Sequence, residues 1–456
     1  MADSELSMRL DRARPFLRGQ YDQIDPLLPK FRSVLLEVGA SECWHKHGSF
    51  FEHLMDVYRI LKLWNAPDAI ARCGLFHSAY SNSYVNLAIF QPNVDRQKVR
   101  DLIGDEAEEL VHMFCIVPRQ PLIHDNLLFQ FSDEDLVSAL KESEKTVQEA
   151  EAEDLKLQKL ELEEKDENWI DKIHDKYEIL KTQLEEELDE IFLPDWRRKI
   201  QKVLPHEGVV VKHIKTGEDV QVPRRLVAIF LFMTMADFID QLFSFQDNLF
   251  DNSNGKLDWS GNNWTALWPG DGKPGLWVNS ISRMGALYNL IVREEKLFQR
   301  EEKRKNGKVN GEKLSNRGFE EIELVIPPVF DHCRAVLSPT DQITARELYW
   351  EGVCMAPAEK AHEKAQPLLS KSCKLDPFVG EPHVVLAHTY LSQGKYEEAE
   401  EEAEIALKLM LEWGTNWDKR MSWEGWIAWT RVLVMKAKEK SWPQTAWGIL
   451  NLGLVK

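Results

Sequence analysis

Apolar side chains recur every three or four positions from Ser49 to Trp64, at Phe50, Phe51, Leu54, Tyr58, Leu61 and Trp64, which is one face of an amphipathic helix. Asn65, Ala66 and Pro67 interrupt the pattern, and Pro67 suits the first turn of a second helix, where a missing N–H costs nothing. Apolar positions continue through Ile70, Cys73, Leu75 and Phe76, so the spacing predicts an antiparallel helical hairpin. A third helix is expected from about Gln97 to Cys115, burying Leu102, Ala107, Leu110, Val111 and Phe114.

Residues 134–192 read as a long helical excursion rich in Glu and Lys, inserted as a unit over about 134–200. Within it Ile170, Ile173, Tyr177, Leu180, Leu184, Leu188 and Ile191 step by three or four. That seam suits either a coiled-coil partner or an apolar stripe laid on its own domain. Val209–Ile214 and Asp219–Val222 flank a Lys-Thr-Gly-Glu turn and predict a small β-hairpin. Pro223 then opens a helix whose stretch Leu226–Ala236 is apolar all round except Thr234, the pattern of a central buried helix. Residues 251–275 form a loop dense in Gly, Asn, Pro and Trp, suited to a lid or a binding loop. Another helix is expected over about Val278–Phe298, and 299–318 is charged enough to read as a mobile surface loop.

From about Pro327 helical spacing returns. Leu386, Ala387, Tyr390, Gly394, Tyr396, Ala399, Ala403, Ala406 and Leu407 follow a 34-residue offset pattern placed at about 380–413. Small residues such as Ala387 and Ala399 let paired helices approach, and Gly394 permits the turn between them. The pattern resembles a tetratricopeptide repeat, with a looser copy one frame earlier at Ala365 and Pro377. A third pair, about Met421–Lys438 and Trp442–Leu454, reads as a divergent cap whose tryptophans either pack the end of the stack or present a binding face. The expected architecture is all-α, with a helical domain over 1–325 and a helical repeat stack over 326–456.

Net charge is −18, but residues 142–190 alone carry 19 acidic and 7 basic side chains, leaving only −6 for the rest. Nothing in this balance attracts a phosphate backbone or an anionic lipid surface, so neither nucleic acid nor membrane is expected as a partner. The longest apolar run is too short to span a bilayer. Six cysteines without a CxxC pair, and no apolar stretch near the amino terminus, favour reduced thiols and a cytoplasmic location, with a nuclear one also compatible. No Walker loop, GxSxG or HExxH is present, so no nucleotide cofactor is expected.

Candidate chemistry sits on the hairpin. His53 lies 11 residues before Trp64 and His77 lies 10 after Pro67, so both stand about 15–17 Å from the turn, at one level. Helix axes 8–10 Å apart would let two inward imidazoles share a metal ion. Asp237 follows the apolar run of the central helix, where a carboxylate must be neutral, paired or metal-bound, and Asp240 shares its face one turn on. Two nitrogens and one hard oxygen suit a divalent ion such as iron, zinc or manganese. The competing reading makes His53 and His77 core histidines bonded to each other or to Asp237.

His53, the run Gly-Leu-Phe-His-Ser at 74–78 and Met-Ala-Asp at 235–237 resemble the HD-domain superfamily of metal-dependent phosphohydrolases and di-iron oxygenases. The resemblance covers about 45–125 and 224–248. Ser78 stands where that family has an Asp that ligates metal and bridges the ions of dinuclear members. What the resemblance then implies is a single ion on His53, His77 and Asp237, with His47, His112 or His124 completing the shell or touching substrate. The fusion to repeats is similar to tetratricopeptide-like proteins of plants. Two functions follow: an iron oxygenase or metal-dependent hydrolase acting on a small molecule, or an inactive scaffold that binds proteins through 142–190 and 346–456.

Overall fold

The computed structural model describes residues 2–45, 48–81, 88–92, 94–119, 121–163, 193–241, 277–305, 322–335, 337–354 and 361–443. Two helices, α1 (Ala2–Leu17) and α2 (Leu28–Glu37), and a two-residue antiparallel ladder, β1 (Trp44–His45) with β2 (Gly48–Ser49), precede the predicted hairpin. The hairpin forms as α3 (Phe50–Leu63) and α4 (Asp68–Phe76). Its first helix begins where a capping box closes: Ser49 Oγ accepts from the Glu52 N–H at 3.2 Å, and Glu52 Oε2 accepts from the Ser49 N–H at 2.9 Å. Ser49→Ala is expected to cost about 1 kcal/mol of unfolding free energy by chemical denaturation; an unchanged value would show that the cap does not hold the helix start. Gly74 sets the closeness of the pair, because a Cβ there would lie 2.3 Å from Leu61 Cδ1.

The single helix expected over 97–115 is two, α5 (Arg96–Ile103) and α6 (Asp105–Ile116). Gly104 separates them with φ of +95°, a conformation that breaks a right-handed helix and that Gly adopts without a Cβ clash. The break folds Arg96 and Arg100 back onto Glu108, at 2.7 and 2.8 Å, where the carboxylate is fully buried.

The acidic excursion begins as α7 (Asp133–Glu163). The remainder, including the seam at 170–191, lies outside the described residues. α7 packs on its own chain: Leu136, Ala139 and Leu140 are buried, and Arg300, Arg304 and Arg334 pair with Asp154, Glu153 and Glu144. These pairs also carry a helix past its expected end. The helix expected to end near Phe298 runs on to Lys305, so 299–305 are helical and not a surface loop; residues 306–318 of that expected loop lie outside the described residues.

α8 (Asp195–Val203) leads to the predicted hairpin, β3 (Val209–Lys212) paired with β4 (Asp219–Val222), in register Val209 to Val222. The central helix α9 (Arg224–Gln241) is buried on all sides through its apolar stretch and packs against α3, α4 and α10 (Trp277–Lys305). The aromatic loop at 251–275 lies outside the described residues. Among the described residues no helix is long and apolar enough to cross a membrane.

Five further helices follow: α11 (Pro339–Val353), α12 (Ala361–Leu375), α13 (Gly380–Ser392), α14 (Tyr396–Trp413) and α15 (Trp423–Lys438), each packed on the next. Leu386, Ala387, Ala399, Ala403, Ala406 and Leu407 are buried between them, as their spacing predicts. Trp417, Trp423, Trp426 and Trp442 are buried as well, so most of the described tryptophans at this end pack the stack; the helix expected over Trp442–Leu454 lies outside the described residues from 444 on. The stack seals against the first helices. Trp64 donates its indole N–H to the Glu412 carbonyl at 2.8 Å and meets Trp413 and Phe330 edge-on, while Arg9 of α1 reaches the Glu412 carboxylate at 2.9 Å. One apolar core runs through all of these elements.

Candidate metal centre

Helical spacing places Asp237 and Asp240 on one face of α9, and α3 and α4 both cross that helix. His53 from α3 and His77 at the end of α4 meet there with ring centroids 5.2 Å apart and planes at 89°. His53, His77 and Asp237 each bring a ligand-type atom within 4.8 Å of the others, and all three are buried. The arrangement is a His–His–Asp cluster able to hold a metal ion.

Each imidazole is tied at its far nitrogen. His77 Nδ1 lies 2.7 Å from the Gly74 carbonyl, which can only accept, so Nδ1 carries the hydrogen and the Nε2 lone pair faces Asp237 Oδ1 at 3.9 Å. His53 Nδ1 donates to Asp240 Oδ2 at 2.7 Å, and its Nε2 lies 3.3 Å from the same Asp237 oxygen. Burial dominates at His77 and pulls its pKa down to about 4, so it is a neutral imidazole at pH 7. At His53 burial also works against the charged form, but the bonds to Asp237 and Asp240 outweigh it and push the pKa up to about 9. Burial would raise Asp237, yet its bond to His53 and the charges of the two histidines hold its carboxyl well below the usual range. The cluster therefore keeps one proton between His53 and Asp237, where a cation would take its place.

The other sequence candidates fall in different roles. Asp240 stands behind His53 and orients the ring, and Lys419, from the loop after α14, approaches its Oδ1 at 3.7 Å. Ser78 is fully buried beside His77. His112 sits on α6 against the Tyr80 ring, 6.4 Å between centroids, while Phe114 and Cys115 of the same helix turn toward His77. Phe114 stands two positions after His112, which is about 200° around a helix and sets the two on opposite sides. His47 lies outside the described residues, as does the side chain of His124 in the turn Pro121–Asp125.

Arg119 is the residue that sequence reading missed. It follows α6, is fully buried with its guanidinium carbon 3.6 Å from the Phe114 ring centre, and its charge lowers the pKa of both Asp237 and His77. Only its isolated position after Val117-Pro118 marked it, and no periodicity pointed inward. A separate cleft between α1 and α14, lined by Glu5, Arg9, Trp64, Pro328 and Glu412, contains none of the cluster residues.

Asp240→Asn leaves the three ligands in place and weakens the partner that fixes His53. The expected result is a 10–100-fold loss of metal affinity by titration, and an unchanged affinity would remove Asp240 from the account.

The family model described as "Domain of unknown function (DUF6817)" matches residues 34–119, a span that holds His53, His77, Ser78 and Arg119 but not Asp237. No curated protein and no solved structure matches the chain.

Proposed function

We propose that this chain is a metal-dependent enzyme of the HD-domain type acting on a small molecule, with His53, His77 and Asp237 holding one divalent ion. The observation that carries the reading is the shared orientation of the two imidazoles: each is anchored at Nδ1 and turns Nε2 to one oxygen of a buried carboxylate. A purely structural pair would be satisfied by a single His–Asp bond, whereas this set places two nitrogens and an oxygen around one point. Ser78 offers only a hydroxyl where the HD family has a carboxylate, which supports one ion in place of two.

Bound there, iron would supply oxygen-dependent oxidation, and zinc or manganese would supply hydrolysis by an activated water. The chain's own groups do the rest. Asp240 and the Gly74 carbonyl fix the tautomers, Phe114 keeps one side apolar, and Arg119 adds a positive charge that offsets Asp237. The tetratricopeptide-like stack contributes Lys419 behind Asp240, so in this reading the repeats brace the centre. The pairing of Glu144, Glu153 and Asp154 within the chain leaves those carboxylates less available to a protein partner. The free cysteines support a cytoplasmic location in this reading.

Metal-free protein reconstituted anaerobically with iron, zinc or manganese in turn provides the test. One of these ions is expected to raise the melting temperature of the wild type clearly more than that of His77→Ala. If none stabilises the wild type, the inactive scaffold is the better reading.

A further inference from the structure

We propose a second metal site, inside the carboxyl-terminal stack, in which Cys373 of α12, His383 of α13 and Glu402 of α14 hold a borderline-soft divalent cation of the zinc class. One ligand-type atom from each lies within 4.8 Å of the other two. In a tetrahedral zinc site neighbouring sulfur and nitrogen ligands are about 3.5 Å apart, so small side-chain rotations would close the set on an ion.

The state of His383 is the independent observation. Its ring is 6% exposed, and its Nδ1 lies 2.5 Å from Glu402 Oε2, yet its Nε2 is buried without a hydrogen-bond partner. Leaving such a nitrogen unsatisfied costs about 1–3 kcal/mol, a cost that the cation relieves when Nε2 is the nitrogen that binds it. Cys373 is 7% exposed, and burial and the nearby Glu402 charge push its thiol well up, so without a cation it is a neutral thiol.

Charge decides the class of ion. As the metal–sulfur bond forms, the thiol proton leaves to solvent, and thiolate plus carboxylate then balance a divalent charge inside the stack. One sulfur, one nitrogen and one oxygen favour zinc over the hard ions magnesium and calcium, which take oxygen sets. Glu402 is only half-buried, which leaves a fourth position open to water. The three ligands come from three successive helices, so the ion would fasten the stack that carries Trp413 and Lys419 to the first part of the chain. The site shares no residue with the His–Asp cluster and does not depend on it.

Cobalt(II), a spectroscopic stand-in for zinc, tests the site in the full chain. Titration is expected to give a thiolate-to-cobalt charge-transfer band that disappears when zinc is added. The band should persist in His77→Ala, weaken more than tenfold in apparent affinity in His383→Ala, and vanish in Cys373→Ser. If Cys373→Ser does not fold, the His383→Ala arm and a zinc-dependent rise in the melting temperature of His77→Ala decide. Absence of the band in the wild type, its survival in Cys373→Ser, or an unchanged affinity in His383→Ala would overturn the proposal.

Discussion

Glu294→Ala is expected to lose about 3–5 kcal/mol of unfolding free energy, among the largest costs of any single substitution in the chain. Glu294 lies on α10 and is fully buried. Its oxygens accept from Arg197 at 2.6 and 3.2 Å and from Gln201 at 2.7 Å, and Arg224 stands 3.7 Å away. Both arginines are nearly inaccessible to solvent. Burial opposes the charge on each; at Arg197 the bonds to Glu301 and Glu294 overcome it, while at Arg224 burial prevails and the pKa is lowered. Removing the carboxylate leaves Arg197 with Glu301 alone and Arg224 with Glu295 alone, and two buried cations that lose their shared partner cost far more than the pair contributed when intact. Chemical denaturation reads the loss directly, with Glu294→Gln as the milder variant because it keeps an acceptor for Gln201. A cost below about 1 kcal/mol would mean that water reaches this network.

Trp413→Ala should cost a similar 3–5 kcal/mol, for a different reason. The indole closes α14, stacks on Phe330 with rings 5° from parallel, and meets Trp64 edge-on at 5.9 Å. Trp64 in turn touches Phe232 of the central helix, so one aromatic cluster joins the carboxyl-terminal helices to the helix that carries Asp237. A cavity here loosens more than packing: the loop bearing Lys419 begins immediately after Trp413, and Lys419 faces Asp240. The account therefore expects Trp413→Ala to weaken metal binding as well as stability, and Trp413→Phe to recover most of both. Loss of stability with metal affinity intact would uncouple the stack from the site.

How much of this was legible in the sequence follows from which forces were local. The hairpin and the matched level of His53 and His77 were readable because rise per residue and apolar period fix both. Asp237 was readable because a carboxylate after an apolar run needs a partner. The break at Gly104 was visible as a lone glycine but was absorbed into a helix by the apolar residues on either side of it. The continuation of α10 past Phe298 was hidden because its support is tertiary: Arg300 and Arg304 are held by Glu153 and Asp154 of α7. Lys419 and Arg119 were invisible for the same reason, since nothing local links a residue near 119 or 419 to an aspartate at 237 or 240. No spacing in the sequence links Cys373, His383 and Glu402, and only the packing of three helices brings them together.

Metal content per chain tests the central claim most directly. Protein purified anaerobically without chelator, in the Cys373→Ser background so that only the His–Asp cluster is counted, is quantified for iron, zinc and manganese beside the same background carrying Asp237→Ala. The account predicts close to one equivalent of a single ion in the first and almost none in the second, with both chains folded. Equal metal in the two, or none in either after reconstitution, would contradict it.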